Sequence, residues 1–111
     1  MRTVLAQKLL KKIEQRTATV GVIGLGYVGL PLALRFAQAG VKAIGFDIDA
    51  AKVKKLGQGR SYINYIPDAA IRKGLGAGFE ATSDFSRARR CDALIICVPT
   101  LIYPFFSPYD F

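Results

Sequence analysis

The segment TVGVIGLGYVG at residues 19–29 is the strongest indication of the fold in this sequence. It begins with β-branched residues typical of a strand, continues into the pattern G-x-G-x-x-G, and leads into an apolar stretch with helical spacing. A glycine turn between a strand and a helix is the setting in which this pattern binds the diphosphate of a dinucleotide. The segment therefore predicts the first strand, turn and helix of a parallel α/β domain.

The three glycines of the turn have different expected roles. Gly24 allows the sharp change from strand to helix, Gly26 leaves room for a pyrophosphate against the backbone, and Gly29 permits close packing of helix on strand. The first amides of the helix, those of Tyr27 and Val28, have no intrahelical acceptor and lie at the positive end of its dipole. We expect these two amides to bind the pyrophosphate.

A carboxylate at the end of the next strand supports this interpretation. Residues 41–47 form a second apolar segment that ends in Asp47, eighteen positions after Gly29. This is close to the spacing of about 20 residues at which an acid meets the adenosine ribose hydroxyls. The alternative is that Asp47 caps the following helix, although Asp49 directly precedes that helix and is the better N-cap candidate. Because a carboxylate repels the extra phosphate of NADP, NAD is the predicted cofactor.

The order of the later segments predicts a Rossmann-like, doubly wound parallel sheet. Residues 79–82 are expected to form a third strand at one edge, after a short helix over residues 67–73 that Gly74 ends. The almost unbroken apolar run over residues 91–99 is typical of a central parallel strand buried on both faces. Right-handed connections then predict the sheet order 3-2-1-4, with ligands at the carboxyl ends of the strands. The residues expected there, besides the glycine turn and Asp47, are Val98, Pro99 and Thr100.

Apolar spacing predicts the other helices. Residues 3–16 form an amphipathic leader, which we expect on the domain surface or at a subunit contact. A membrane role is disfavoured because its apolar stripe is narrow and lacks aromatic residues. A second helix over residues 27–39 ends at Gly40, where a left-handed cap is expected. Residues 62–66 are too aromatic for a solvated loop and are expected to pack partly on the domain.

The composition is that of one soluble globular domain, with 51% hydrophobic and 22% charged residues among 111. About half of the net charge of +8 arises from the first eighteen residues, and no nucleic-acid-binding motif accompanies it. A basic surface that attracts a nucleotide is therefore favoured over nucleic-acid binding. Histidine is absent, and Cys91 and Cys97 have neither metal-ligand nor disulfide spacing. With no secretory signal and no apolar run of membrane length, we expect a cytoplasmic protein that binds no membrane.

Four segments are specific enough to indicate a family. They are GLGYVGLP at residues 24–31, DID at residues 47–49, GRSYI at residues 59–63 and CVPT at residues 97–100. Over residues 5–100 the sequence resembles the amino-terminal NAD-binding domain of the UDP-glucose/GDP-mannose (nucleotide-sugar) 6-dehydrogenases, most of all the UDP-N-acetylglucosamine branch. The resemblance implies that the Tyr27 and Val28 amides hold the pyrophosphate, that Asp47 and Lys52 hold the adenosine ribose, and that Thr100 lies near the cofactor. Without it, Lys52 would be a solvated helix residue and Thr100 an ordinary loop residue.

The resemblance also implies an activity for the full-length enzymes. They oxidise the C6 alcohol of a UDP-sugar to a carboxylate in two NAD-dependent steps, through a covalent thiol intermediate in a separate carboxyl-terminal domain. Neither Cys91 nor Cys97 matches that catalytic motif, so no catalytic residue is assigned and this chain alone is expected to be inactive. The UDP-sugar would bind only in the full-length enzyme, whose place would be in polysaccharide biosynthesis, and assembly as a homo-oligomer stays open. The alternative is a stand-alone NAD-binding or sensing module without catalysis.

After Thr100 the sequence departs from the family pattern. Residues 101–111 contain five aromatic residues without strand or helix periodicity. We interpret residues 1–18 as the leader, residues 19–100 as an NAD-binding domain truncated after its fourth strand, and residues 101–111 as an aberrant tail, with a functional lid as the alternative. Such a truncation would leave the fourth strand as an exposed apolar edge that favours association.

Overall fold

A computed structural model describes residues 4–98, which form a parallel sheet covered by helices. The strands are β1 (Thr19–Ile23), β2 (Lys42–Phe46), β3 (Phe79–Thr82) and β4 (Ala93–Ile96). The helices are α1 (Val4–Glu14), α2 (Gly29–Gln38), α3 (Ala50–Gly57) and α4 (Asp68–Ala77), with a 3-10 helix over Phe85–Arg90. All strand pairs are parallel and the sheet order is β3-β2-β1-β4, which confirms the predicted Rossmann-like topology.

Strand β1 lies between β2 and β4, and its middle residue is a glycine. Gly21 is paired with Ile44 of β2 on one side and with Leu94 of β4 on the other. A Cβ atom at Gly21 would lie 2.5 Å from Leu94 Cδ2 and 2.9 Å from Cys91 Sγ. The absence of a side chain at this position therefore lets the side chains of β4 lie close to the central strand.

The core lies mainly between the sheet and two helices. Helix α2 packs on β1 and β2, and α4 packs on α2 and β3. The interior face of α2 consists of small and branched apolar residues that allow this close approach. The core residues that are fully or almost fully buried include Val22, Leu25, Leu30, Ala33, Ile44, Phe46, Leu56, Ile71 and Phe79.

Helix α1 lies outside this core, and none of its residues is buried. Two polar contacts join the segment to the domain. Lys12 Nζ donates to Asp92 Oδ1 at 2.9 Å, and the guanidinium of Arg16 donates to the Ala39 carbonyl at 2.9 Å. The exposure of α1 agrees with either expected position of the leader, on the domain surface or at a subunit contact. Within residues 4–98, no helix is long and apolar enough to span a bilayer.

The expectation that Gly74 ends the fourth helix is wrong. Helix α4 continues through Gly74 to Ala77 and ends at Gly78, which has the left-handed φ of 112° typical of a helix cap. Gly74 is buried, and a Cβ atom there would lie 2.5 Å from Leu34 Cδ2 of α2. It therefore serves the close packing of two helices and not the termination of one.

The expected burial of the fourth strand on both faces is also not observed. Among residues 4–98, β4 pairs with β1 alone, and Leu94 and Ile96 are 48% and 68% exposed. It is an apolar edge strand in the part of the chain that the structure describes. The expected tail at residues 101–111, together with Pro99 and Thr100, lies outside the described residues, and the predicted division of the chain stays a prediction.

Candidate functional site

The glycine turn connects β1 to α2 at the carboxyl edge of the sheet. Gly24 has a φ of 98°, and a Cβ atom on it would lie 2.7 Å from the Cys97 carbonyl oxygen. A Cβ atom on Gly29 would lie 1.6 Å from the Gly24 carbonyl oxygen, so a larger residue cannot occupy this position without moving the turn. At Gly26, apart from its chain neighbours, no atom of the described residues lies within 4 Å of the Cβ position. The first and third glycines are required by contacts within the fold, whereas the second leaves the backbone open to a ligand.

The amides that follow the turn are available to an acceptor. Helix α2 has Val28 as its N-cap, and no side chain caps it. Within residues 4–98, the backbone amides of Gly26, Tyr27 and Val28 have no hydrogen-bond acceptor. The side chains of Tyr27 and Val28 are 72% and 68% exposed, so their expected contribution comes from the backbone alone. Unpaired amides at the start of a helix are suited to bind an anionic oxygen.

Asp47 holds the glycine turn and the start of α3 together. Its Oδ2 accepts from the Leu25 amide at 3.0 Å, and its Oδ1 accepts from the Asp49 amide at 2.9 Å. Asp49 is the N-cap of α3, because its Oδ1 accepts from the amides of Ala51 and Lys52 at 3.0 and 3.3 Å. Asp47 is therefore not the cap of α3. Each of its carboxylate oxygens retains capacity to accept a further hydrogen bond, for example from a ribose hydroxyl.

Lys52 lies on the first turns of α3 and is partly buried. Its Nζ lies 5.4 Å from the centroid of the Tyr62 ring, within the range of a cation–π contact. It also lines the same cleft as Asp47. The structure thus brings this lysine, which the sequence alone would leave in solvent, to the predicted ribose position.

One cleft of about 490 Å³ is lined by Asp47, by Lys52 and by the first two glycines of the turn. Its polar lining includes two carboxylates and one ammonium group, and the rest of its wall is largely apolar. Its lining residues are Ile23, Gly24, Leu25, Gly26, Phe46, Asp47, Ile48, Asp49, Lys52, Phe85 and Val98. An apolar wall beside a carboxylate and free backbone amides fits a nucleotide, which has a flat base, a diol and a diphosphate.

The structure adds apolar residues that the sequence analysis missed, namely Ile23, Phe46, Ile48 and Phe85. Ile48 is 87% exposed at the mouth of the cleft, and Phe85 lines it after the carboxyl end of β3. The Phe85 ring packs on that of Phe46 at a centroid distance of 5.7 Å. The position of Phe85 shortly after β3 could have indicated its place in the cleft, since residues that follow parallel strands meet at one sheet edge. Of the three residues predicted after β4, Val98 lines the cleft, while Pro99 and Thr100 lie outside the described residues.

The pKa of one of the two cysteine thiols is raised. Cys91 and Cys97 are free thiols at opposite ends of β4, and both are partly buried. Burial raises the pKa of the Cys91 thiol, and the neighbouring Asp92 carboxylate raises it further. A raised pKa disfavours the nucleophilic thiolate. Across residues 4–98, no group of three or more potential ligand side chains could hold a metal ion.

Comparison with protein families assigns the domain. A family model described as "UDP-glucose/GDP-mannose dehydrogenase family, NAD binding domain" matches residues 18–103. The chain belongs to this family. The matched part is its NAD-binding domain, and the cofactor is NAD, as the sequence predicts.

Relatives in this dehydrogenase family act on several nucleotide sugars. The chain is 36% identical over 90 residues to UDP-N-acetyl-D-mannosamine dehydrogenase of Methanococcus vannielii, covering 81% of this chain and 21% of that protein. It is 35% identical over 83 residues to UDP-N-acetyl-D-glucosamine 6-dehydrogenase of Pseudomonas aeruginosa, covering 75% and 19%. The crystal structure of a ternary complex of GDP-mannose dehydrogenase from Pseudomonas aeruginosa matches with a TM-score of 0.68 and 32% identity, covering 74% and 20%. The chain spans about a fifth of the length of these relatives.

Proposed function

We propose that this chain supplies the NAD-binding part of an enzyme that oxidises the C6 alcohol of a nucleotide sugar to a carboxylate. NAD, when bound, supplies the acceptor for the hydride that leaves the alcohol carbon. The observation that carries the proposal is the arrangement of one cleft, in which an open glycine turn lies beside a fixed carboxylate. The substrate class, a UDP-N-acetyl-hexosamine, is proposed from the names of two of the relatives.

We assign different parts of the cofactor to the cleft residues and to Tyr27 and Val28, which follow the cleft-lining Gly26 in the turn. The amides of Gly26, Tyr27 and Val28 would bind the pyrophosphate, because they are unpaired at the start of α2. Asp47 would accept hydrogen bonds from the adenosine ribose, and Lys52 would donate to the same sugar. Gly24 and Gly29 shape the turn, while Val98, Pro99 and Thr100 are proposed to lie against the cofactor after β4.

Calorimetric titration of the chain with NAD and NADP tests this proposal. We expect saturable NAD binding and weaker NADP binding, since the Asp47 carboxylate repels a 2′-phosphate. The variant Asp47→Asn removes the charge; its one carbonyl oxygen can still accept from the Leu25 amide of the turn, while the contact with the Asp49 amide is lost. It should weaken NAD binding about tenfold, the effect of losing one hydrogen bond to a charged group. It should also narrow the difference between NAD and NADP.

Asp68→Asn is the matched control. Asp68 also accepts from a backbone amide, that of Ser61 at 2.9 Å, but it does not line the cleft. The control variant should bind NAD as the unmodified chain does. Undiminished NAD binding by Asp47→Asn would refute the role of this carboxylate, and no binding by the folded chain would refute the proposal.

The catalytic part of the proposal has its own expected result. Because the chain spans about a fifth of its relatives, we expect no NADH formation when it is mixed with NAD and UDP-N-acetylglucosamine or UDP-N-acetylmannosamine. Formation of NADH, followed by its absorbance, would show that the chain carries more of the active site than we assign to it.

A further inference from the structure

Two tyrosines outside the cleft donate hydrogen bonds to the glycine turn. The Tyr62 hydroxyl donates to the Leu25 carbonyl, and the Tyr65 hydroxyl donates to the Tyr27 carbonyl at 2.8 Å. Neither tyrosine lines the cleft; each lines a different pocket of the surface. Both belong to residues 62–66, a segment that is more than thirty residues away from the turn in sequence.

Peptide geometry connects these contacts to the open amides. In a planar trans peptide the carbonyl and the following amide point in opposite directions. All peptide bonds within residues 4–98 are trans. A Leu25 carbonyl directed at Tyr62 therefore directs the Gly26 amide away from that tyrosine. By the same geometry, the Tyr65 contact fixes the direction of the Val28 amide.

These directions matter because the other hydrogen bonds of the turn, to the Asp47 carboxylate and from the Leu30 and Leu32 amides, hold the neighbouring peptides. Within residues 4–98, the two peptides that carry the Gly26 and Val28 amides are held by the tyrosines alone. Gly26 is conformationally free, and Val28 precedes the first residue of α2. Neither amide has an acceptor within residues 4–98. Without the tyrosines, the peptides of the turn could rotate and place carbonyl oxygens where the cofactor's diphosphate must bind. Ordering such peptides only upon binding would reduce affinity.

We propose that Tyr62 and Tyr65 are positioning residues that orient the Gly26 and Val28 amides toward the diphosphate of the cofactor. The inference rests on the proposed function of the cleft, since it assigns the diphosphate to these amides. It also gives a role to the segment GRSYI and the residues that follow it.

The surroundings of each hydroxyl suit this role. Burial raises the pKa of the Tyr62 hydroxyl, and the carboxylates of Asp47 and Asp49 raise it further, so the group stays a donor at neutral pH. The Tyr62 ring also lies beneath Lys52 Nζ. The same tyrosine therefore contacts both the glycine turn, which we assign to the pyrophosphate, and the lysine that we assign to the ribose. The Tyr65 ring stacks on the Tyr27 ring at a centroid distance of 6.2 Å and an angle of 28°.

A residue just after the same segment provides the control for the test. Tyr65→Phe removes the hydroxyl that donates to the turn, whereas Asp68→Asn changes a side chain that accepts from the Ser61 amide and does not line the cleft. Calorimetry with NAD should show binding about fivefold weaker for Tyr65→Phe, the effect of one hydrogen bond, and no change for Asp68→Asn. Binding of adenosine, which lacks the diphosphate, should be equal in both. A general loss of structure would weaken adenosine binding as well.

A measurement without ligand separates this inference from the proposed function. In ¹⁵N spectra of the chain, the Gly26 and Val28 amides should give single sharp resonances that broaden or split in the double variant Tyr62→Phe/Tyr65→Phe. Unchanged resonances in the double variant would overturn the inference, and so would NAD binding by Tyr65→Phe equal to that by Asp68→Asn. If the chain binds no NAD but the amides broaden as expected, the proposed function fails while the positioning role is supported.

Discussion

Strands β2 and β4 both pair with the central strand β1 and differ in burial. At the register of Gly21, Ile44 of β2 is 2% exposed and Leu94 of β4 is 48% exposed. At the register of Ile23, Phe46 is buried completely while Ile96 is 68% exposed. Helix α2 packs on β2, which also pairs with β3. Both apolar segments form strands, but the burial of each strand depends on the helices and strands that pack on it.

Substitutions in β2 and β4 test this difference in burial directly, and the substitution in β2 should have the greatest effect on stability. Ile44→Ala should lower the free energy of unfolding by about 3 kcal/mol, because it leaves a cavity in a packed core. Leu94→Ala should cost about 1 kcal/mol, since half of that side chain is already in water. Urea unfolding followed by circular dichroism measures both. Equal losses would mean that β4 is as well packed as β2.

A smaller effect is expected where a polar contact holds the start of β4. The Thr19 amide donates to Asp92 Oδ2 at 2.8 Å, and Lys12 Nζ to its Oδ1 at 2.9 Å. The hydrogen bond from the Thr19 amide lowers the pKa of the Asp92 carboxyl, and the contact with Lys12 lowers it further. Asp92→Asn should therefore destabilise the domain at pH 7, by no more than about 1 kcal/mol because solvent screens the pair.

The sign of its pH dependence follows from the lowered pKa. The stabilisation is present above the carboxyl's unfolded pKa of about 3.9 and is lost as the pH falls through the lower folded pKa. The difference between the unmodified chain and Asp92→Asn should be full at pH 7 and shrink below about pH 4. Urea midpoints at several pH values measure it. A difference that is independent of pH would show that the carboxylate charge contributes nothing.

The smallest effect on stability is expected at the exposed end of β4. Ile96→Lys should change the free energy of unfolding by no more than about 0.5 kcal/mol, because the side chain already lies in water. It should reduce self-association, since a charge on an apolar edge strand opposes edge-to-edge pairing. Sedimentation velocity over a range of concentrations measures this. Ala51→Lys, on an exposed position of α3, adds the same charge away from β4 and should leave association unchanged.

Much of the fold followed from patterns that act over a few residues. The turn at Gly24, the cap at Asp49 and the edge strand Phe79–Thr82 were predicted because glycine conformation, capping and alternation are local. Gly74 shows the limit of such reasoning, since a glycine near a helix end resembles a stop signal. Its actual role depends on Leu34, forty residues earlier, which no local pattern reveals.

The candidate site divides in the same way. Gly26 and Asp47 were found from their spacing, because the glycine turn and the carboxylate belong to consecutive units of one α/β repeat. Phe85 and the donor hydroxyls of Tyr62 and Tyr65 were not found, because they reach the site from later segments. The two tyrosines lie in a loop and carry no signal of what they will contact, whereas the position of Phe85 after β3 does indicate the sheet edge.

The strands, the glycine turn, the position of Asp47 and the family could be predicted from the sequence, because each depends on residue types at short fixed spacings. The folded structure was needed to show that β2 is covered while β4 is exposed, that Gly74 lies between two helices, and that two tyrosines hold the turn. These outcomes depend on contacts between residues far apart in the chain. Such contacts are selected by packing and hydrogen bonding in the folded molecule and not by local conformational preference.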